Sequence, residues 1–95
     1  MAIEVKLVSV KPGDKEFYDS TDSLKELHQE FVDSGKLSNI SSDFDGNTKT
    51  FRETFASQSD REEFLADSRK IEDGNLRRIY NETHGITLTI THSEV

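Results

Sequence analysis

The sequence predicts an α+β fold in which an antiparallel sheet is covered by amphipathic helices in the order βαββαβ. Three observations carry this expectation. Apolar residues alternate with period two near both ends of the chain, Asp45-Gly46-Asn47 splits a strand pair in the middle, and two intervening stretches carry apolar residues at helical spacing.

Taking the elements in order, Ile3, Val5 and Leu7 fall on one face while Glu4 and Lys6 fall on the other, the pattern of a half-buried strand. Lys11-Pro12-Gly13-Asp14 stops it. Phe17 and Tyr18, in the connection that follows, are expected to pack as a hydrophobic lid beside the first helix. That helix covers residues 20–34. At about 100° per residue, Leu24, Leu27, His28 and Phe31 share one side and Asp22, Glu26, Glu30 and Asp33 the opposite one. Ser23 and Glu26 stand at capping-box spacing, with Asp19, Ser20 and Thr21 as alternative caps, and Gly35 marks the carboxyl end.

The arm from Leu37 to Phe44 is polar and suits an edge strand. Asp-Gly between two strand-like runs is a strong hairpin signal. The second arm, Thr48 to Phe55, puts Phe51 and Phe55 on one face and should lie more centrally. A second helical region opens at Ser57-Gln58-Ser59-Asp60, where Ser59 and Glu62 have capping-box spacing. Phe64, Leu65, Ser68 and Ile71 form its expected inner face, and Leu76, Ile79, Tyr80 and Thr83 a second set beyond Asp73-Gly74-Asn75. One straight helix of roughly 25 residues would span about 37 Å, too long for this fold, so a break is expected near Gly74. Gly85 caps the second piece. Ile86, Leu88 and Ile90 then alternate with Thr87, Thr89 and Thr91 as the closing strand, with His92 continuing the apolar face where the end is expected to fray.

Strand, helix, strand, strand, helix, strand is the split βαβ order of ferredoxin-like folds. Right-handed crossovers put both helices on one face of a four-stranded antiparallel sheet. The other face would carry Thr50, Arg52, Thr54, Thr87, Thr89 and Thr91, with Val8 and Val10 as apolar members. A second copy of the chain is expected to cover it. Residues 1–95 are read as one domain, small enough that self-association is a natural way to bury more surface.

Hydrophobic residues make up only 32% and mean hydropathy is −0.72, yet their regular patterning argues against disorder. With no cysteine there is neither a disulfide framework nor a thiolate metal site. No apolar run approaches a membrane span, no charged leader is seen, and a cytoplasmic location is expected. Asn39-Ile40-Ser41 and Asn81-Glu82-Thr83 match glycosylation acceptors only formally. A net charge of −7 disfavours adhesion to nucleic acid or an anionic membrane surface.

No segment carries a specific chemical signature. His28, at the edge of the apolar helix face, reads either as a pocket donor or general base, or more simply as a boundary histidine with one solvated nitrogen. With Phe31, Tyr80 and His84 it forms the set of pocket candidates. Glu82 and His84, two apart on a helix, do not face each other, so His84 suits the negative helix end better. Three histidines on separate elements give no metal-ligand spacing, and no metal or cofactor is expected. Asp43-Phe44-Asp45-Gly46-Asn47 lacks the ligand spacing and closing Glu of a calcium loop and reads as a turn. Phosphate-binding glycine loops are absent, and a threonine-rich open face does not suit RNA stacking. The stripe Asp22, Glu26, Glu30 and Asp33 is a candidate docking face for a basic protein, or simply a solvated one.

Thr50-Phe51-Arg52-Glu53-Thr54-Phe55-Ala56-Ser57, a strand running directly into a capped helix, and the closing Gly85-Ile86-Thr87-Leu88-Thr89 strand resemble the dimeric α/β-barrel group. The resemblance is to its antibiotic-biosynthesis-monooxygenase-like branch of ferredoxin-like proteins. It implies a homodimer whose two sheets form a barrel, with a pocket between sheet and helices in each subunit. Haem-degrading members use an Asn, a Trp and a His, and this chain has no Trp. Fold analogy alone does not license an activity. From the residues, the expected function is a small acidic, non-enzymatic protein acting by self-association and protein binding. That preference rests on the lack of a convergent polar constellation. The alternatives are a small-molecule-binding or cofactor-free monooxygenase-like enzyme, and an acidic nucleic-acid mimic that inhibits a basic partner.

Overall fold

The computed structural model describes residues 1–95. Seven elements follow one another: β1 (Ile3–Val10), α1 (Asp22–Asp33), β2 (Leu37–Asp45), β3 (Thr48–Phe55), α2 (Gln58–Ala66), α3 (Ser68–His84) and β4 (Thr87–Glu94). The sheet order is β2-β3-β1-β4, with every neighbouring pair antiparallel. This is the α+β, ferredoxin-like arrangement the alternation predicts.

Each element begins and ends for a local reason. Thr21 caps α1, its hydroxyl accepting the Leu24 N–H at 3.1 Å. The helix stops at Gly35, whose φ of 76° only glycine adopts cheaply, and Lys36 N–H closes back on the Phe31 carbonyl at 2.9 Å. Strand β2 buries only Leu37, pairs on one side alone, and is bulged between Ser38 and Ser41 with Asn39 at φ 53°. It is the weak edge its polar sequence suggests. The hairpin turns at Gly46. Ser57, two residues before the expected Ser59, caps α2: it accepts the Asp60 N–H at 3.1 Å and its own hydroxyl donates to the Asp60 carboxyl at 3.0 Å.

Two expectations are corrected in the second helical region. The break lies at Asp67, not near Gly74. Asp67 is extended (φ −67°, ψ 134°), and its carboxyl caps α3 by accepting the Arg69 N–H at 2.9 Å. Gly74 sits within an unbroken α3. The Asp-Gly-Asn triplet misleads because Asp73 spends its carboxyl on distant partners rather than on a local turn. Leu65 of α2, read as inward, is exposed. Restarting the helix at Asp67 also resets its phase: Ile71, Leu76 and Ile79, read as inward, are exposed, and the buried side chains of α3 are Asp73 and Asn81. At the far end His92 is not frayed: β4 runs to Glu94 and pairs His92 with Val5.

The apolar core fills only part of the space between helices and sheet. Ile3, Val5, Leu37 and Phe55 from the strands meet Leu24, Leu27, Phe31 and Phe64 from α1 and α2. Along β1 and β3, the paired rows run Ile3 with Phe55, Val5 with Glu53, Leu7 with Phe51, and Ser9 with Lys49. The first rows are core. The last two line a cleft that also takes in residues of α1 and α3. Alternation places Lys6, Val8, Val10, Thr48, Thr50, Arg52, Thr87, Thr89 and Thr91 on the face without helices. No helix is long and apolar enough to cross a membrane.

Candidate functional site

The cleft encloses about 320 Å³, at the small end of the roughly 300–1,000 Å³ common for small-molecule sites. Its floor is the sheet, through Leu7, Ser9, Lys49, Phe51, Glu53 and Leu88. One wall is α1, with Leu24, Lys25 and His28; the other is α3, with Lys70, Arg77 and Asn81. Residues 17–20 of the β1–α1 connection close the top. That connection is pinned. Tyr18 donates to the Asp73 carboxyl at 3.0 Å, Tyr80 donates to the Glu16 carbonyl at 2.9 Å, and the Phe17 ring lies 5.9 Å from that of Phe44.

Glu53 stands at the boundary between core and cleft. It alternates inward with Phe51 and Phe55, so the strand turns its carboxyl away from the outer surface, and its side chain is 8% exposed. A buried carboxyl is costly unless it is bonded. His28 Nε2 meets Glu53 Oε2 at 3.1 Å. This contact gives the buried carboxyl its partner and orients the imidazole. Phe64 and Phe51, with ring centroids 5.1 and 6.1 Å from that of His28, hold the imidazole plane. A histidine oriented by a carboxylate at a cleft wall is equipped to take a proton from a bound molecule.

Helix α3 contributes a polar stripe. Lys70, Asp73, Arg77 and Asn81 recur at three- and four-residue spacing. Asp73 is fully buried and accepts both the Tyr18 hydroxyl and the Thr21 N–H. Burial, then the hydrogen bond to Asp73 and its charge, push the Tyr18 hydroxyl up to about 12, so it stays a donor. Burial holds the Lys70 amine below its usual range, and the neighbouring Arg77 charge adds to this. Both hydrogen bonds to Asp73 go to its Oδ1; Asp73 Oδ2 and Asn81 Oδ1 are buried without a partner.

Of the four pocket candidates read from the sequence, His28 lines the cleft. Phe31 lies in the core, edge-on to Phe64 at 5.3 Å. Tyr80 anchors the connection from behind, and His84 packs on the Tyr80 ring at 4.3 Å, both outside the lining. Glu82 pairs with Arg78 rather than with His84. In the acidic stripe, Glu30 is held by Arg69, which lowers its pKa, and Asp33 accepts from Gln29. Asp22 and Glu26 point to solvent. Lys70 and Arg77, which with Arg69 and Arg78 make the chain's only basic concentration, and Asn81, beside Tyr80 in a polar cluster, were not among the pocket candidates, and Glu53 and Asp73 carried no signal of their own. With His28, four of these residues, Glu53, Lys70, Arg77 and Asn81, line the cleft, and Asp73 lies outside the lining.

No family model matches the sequence, and no curated protein is detectably similar to it. Solved structures do match its fold. A conserved Bacteroides thetaiotaomicron protein of unknown function, described as a possible oxidoreductase, superposes with a TM-score of 0.69 at 7% identity, over 99% of this chain and 97% of its own. A candidate antibiotic biosynthesis monooxygenase from Caulobacter crescentus gives 0.65 at 12% identity, over 99% and 89%. Another from Deinococcus radiodurans gives 0.57 at 15% identity, over 100% and 92%. What the chain shares with these proteins is the fold: the ferredoxin-like sheet and one-sided helices of antibiotic-biosynthesis-monooxygenase-like structures.

Proposed function

We propose that the chain is a small-molecule enzyme of the monooxygenase-like type, with the cleft as its substrate site and the His28–Glu53 pair as its proton acceptor. The observation that carries this is the hydrogen-bonded pair set into the cleft wall, 3.1 Å between Nε2 and Oε2. Glu53 orients the imidazole and offsets the positive charge His28 gains when it takes a proton. An enolisable or phenolic substrate that loses that proton becomes an electron-rich anion, able to react with dioxygen. Oxidising a CH₂ group to C=O with O₂ yields water and needs no external reductant. The names of the Caulobacter, Deinococcus and Bacteroides neighbours favour this class over others open to the same pair. We further infer that two copies associate through the helix-free sheet face.

Proton removal can be read before the natural substrate is known. In D₂O, the protein should accelerate exchange of the acidic C–H of a cyclic 1,3-diketone and consume O₂ with a phenolic or diketone probe. His28→Ala and Glu53→Gln should each slow the exchange by about 100-fold, the low end for removal of a general base. Exchange that persists undiminished in His28→Ala would sink this reading.

A further inference from the structure

We propose that the cleft is built for a small organic anion, an apolar or aromatic body ending in a carboxylate or phosphate, whose charged end is drawn to Lys70 and Arg77. This rests on the cleft being a small-molecule site and names the class of ligand it takes.

The charge of the cleft is opposite to that of the chain. The chain carries a net −7, yet the lining holds four bases, Lys25, Lys49, Lys70 and Arg77, against two acids, Asp19 and Glu53. Both acids are already engaged, Asp19 by Lys25 at 3.2 Å and Glu53 by His28 at 3.1 Å. Lys70 and Arg77 belong to no ion pair; the nearest acid on their stripe, Asp73, lies outside the lining, gives one oxygen to Tyr18 and Thr21, and acts on Lys70 only through its charge. Their neighbours along α3 show that pairing is the rule on this helix: Arg69 is held by Glu30 and Asp67, and Arg78 by Glu82. The outward bases have partners and the inward ones have none.

An unpaired cation taken partly out of water is unfavourable, and two near each other more so. The Lys70 ammonium makes up some of this over the Phe64 ring, 5.8 Å from its centroid. A ligand oxyanion would supply what the chain does not. Asn81 Oδ1 in the wall is buried and without a donor, as is Asp73 Oδ2 outside the lining; a ligand hydroxyl or N–H beside the anionic group satisfies Asn81. The remaining floor, Leu7, Phe51, Ile86 and Leu88, is apolar and suits the ligand's body.

The test is an amide-resolved NMR titration with three probes of one shape: benzoate, phenyl phosphate and neutral benzamide. The expected result is that the anions shift amides lining the cleft and bind at least about tenfold more tightly than benzamide. The preferred member of the anionic pair tells carboxylate from phosphate ester. Lys70→Met and Arg77→Met, which keep the apolar stems, should each weaken anion binding about tenfold and leave benzamide unchanged; Lys70→Arg should restore most of it. Benzamide binding as tightly as the anions, or anion binding indifferent to both Met variants, overturns the anionic ligand and leaves the cleft as a small-molecule site. If none of the three probes reaches the cleft at millimolar concentration, the anionic ligand and the small-molecule reading fall together.

Discussion

Tyr18 and Asp73 meet across 55 positions of the chain, one of the contacts that tie the roof of the cleft to α3. Asp73 also takes the Thr21 N–H at 2.9 Å, so a single carboxyl serves the lid and the start of α1. A hydrogen bond to a charged group is worth about 1.5–3 kcal/mol. Tyr18→Phe should therefore lower stability by about 1.5–3 kcal/mol at pH 8, measured by urea unfolding. The difference should not hold at high pH. The Tyr18 hydroxyl moves from an ordinary 10.0 to about 12. Between pH 10 and 12 the folded chain keeps a proton that the unfolded chain has given up, so this part of the stability is full below pH 10 and drains as pH approaches 12. The gap between wild type and Tyr18→Phe should close over that window; a gap that stays constant would remove Asp73 as the cause. Glu53 was legible at this scale: if Phe51 and Phe55 face in, so must the residue between them. Asp73 was not, because its partners lie 52 and 55 residues away and its own neighbours, Gly74 and Asn75, imitate a turn.

At the level of elements, the strands were readable because period two and burial agree, as in Ile3, Val5 and Leu7. Helix α3 was not, because it reverses the usual rule. Its inner face is Lys70, Asp73, Arg77 and Asn81, while Leu76 (43% exposed) and Ile79 (52%) look outward. Apolar periodicity locates a helix face turned to a core, and α3 is turned to a cleft. The polar stripe at three- and four-residue spacing was the available signal. Two glycines on this helix test the revised boundaries with opposite signs. A Cβ added at Gly74 meets nothing within 4 Å, and its φ is not in the left-handed region. Gly74→Ala should raise stability by about 0.5–1 kcal/mol through helix propensity. Gly85 has φ 69° and ends the helix, with Ile86 N–H closing on the Asn81 carbonyl at 2.9 Å. Gly85→Ala should cost about 1–2 kcal/mol, although Pro12 Cγ at 3.7 Å leaves room for the methyl. Thermal unfolding of both variants decides this, and a destabilised Gly74→Ala would put a break back in the middle of α3.

For the whole molecule, the helices cover one side of the sheet and leave the other to be accounted for. Across β3, β1 and β4 that side presents the rows Thr50, Val8, Thr89 and Arg52, Lys6, Thr91. Threonine and valine suit a flat surface that another sheet can meet: their β-branched methyls pack, and the hydroxyls can bond across strands. In a two-fold pair the same patch meets itself, so the centre must be free of like charge. Val8 and Thr89 fulfil this, whereas Lys6 and Arg52 in the next row would have to lie off the axis. Arg52 already leans toward the β2 edge, where it bonds Asp43 at 3.2 Å. The proposed association is then sensitive to charge at one place. Val8→Lys would bury two unpaired ammonium groups at the axis, one from each copy, a penalty of several kcal/mol. Light scattering should give wild type a mass near twice 10.8 kDa and Val8→Lys a single-chain mass, with unchanged circular dichroism in both. The substitution lies on the opposite side of the sheet from the cleft, so anion binding by the single chain should persist. A wild-type chain that stays monomeric at high concentration would leave the threonine face to water and the cleft complete within one copy.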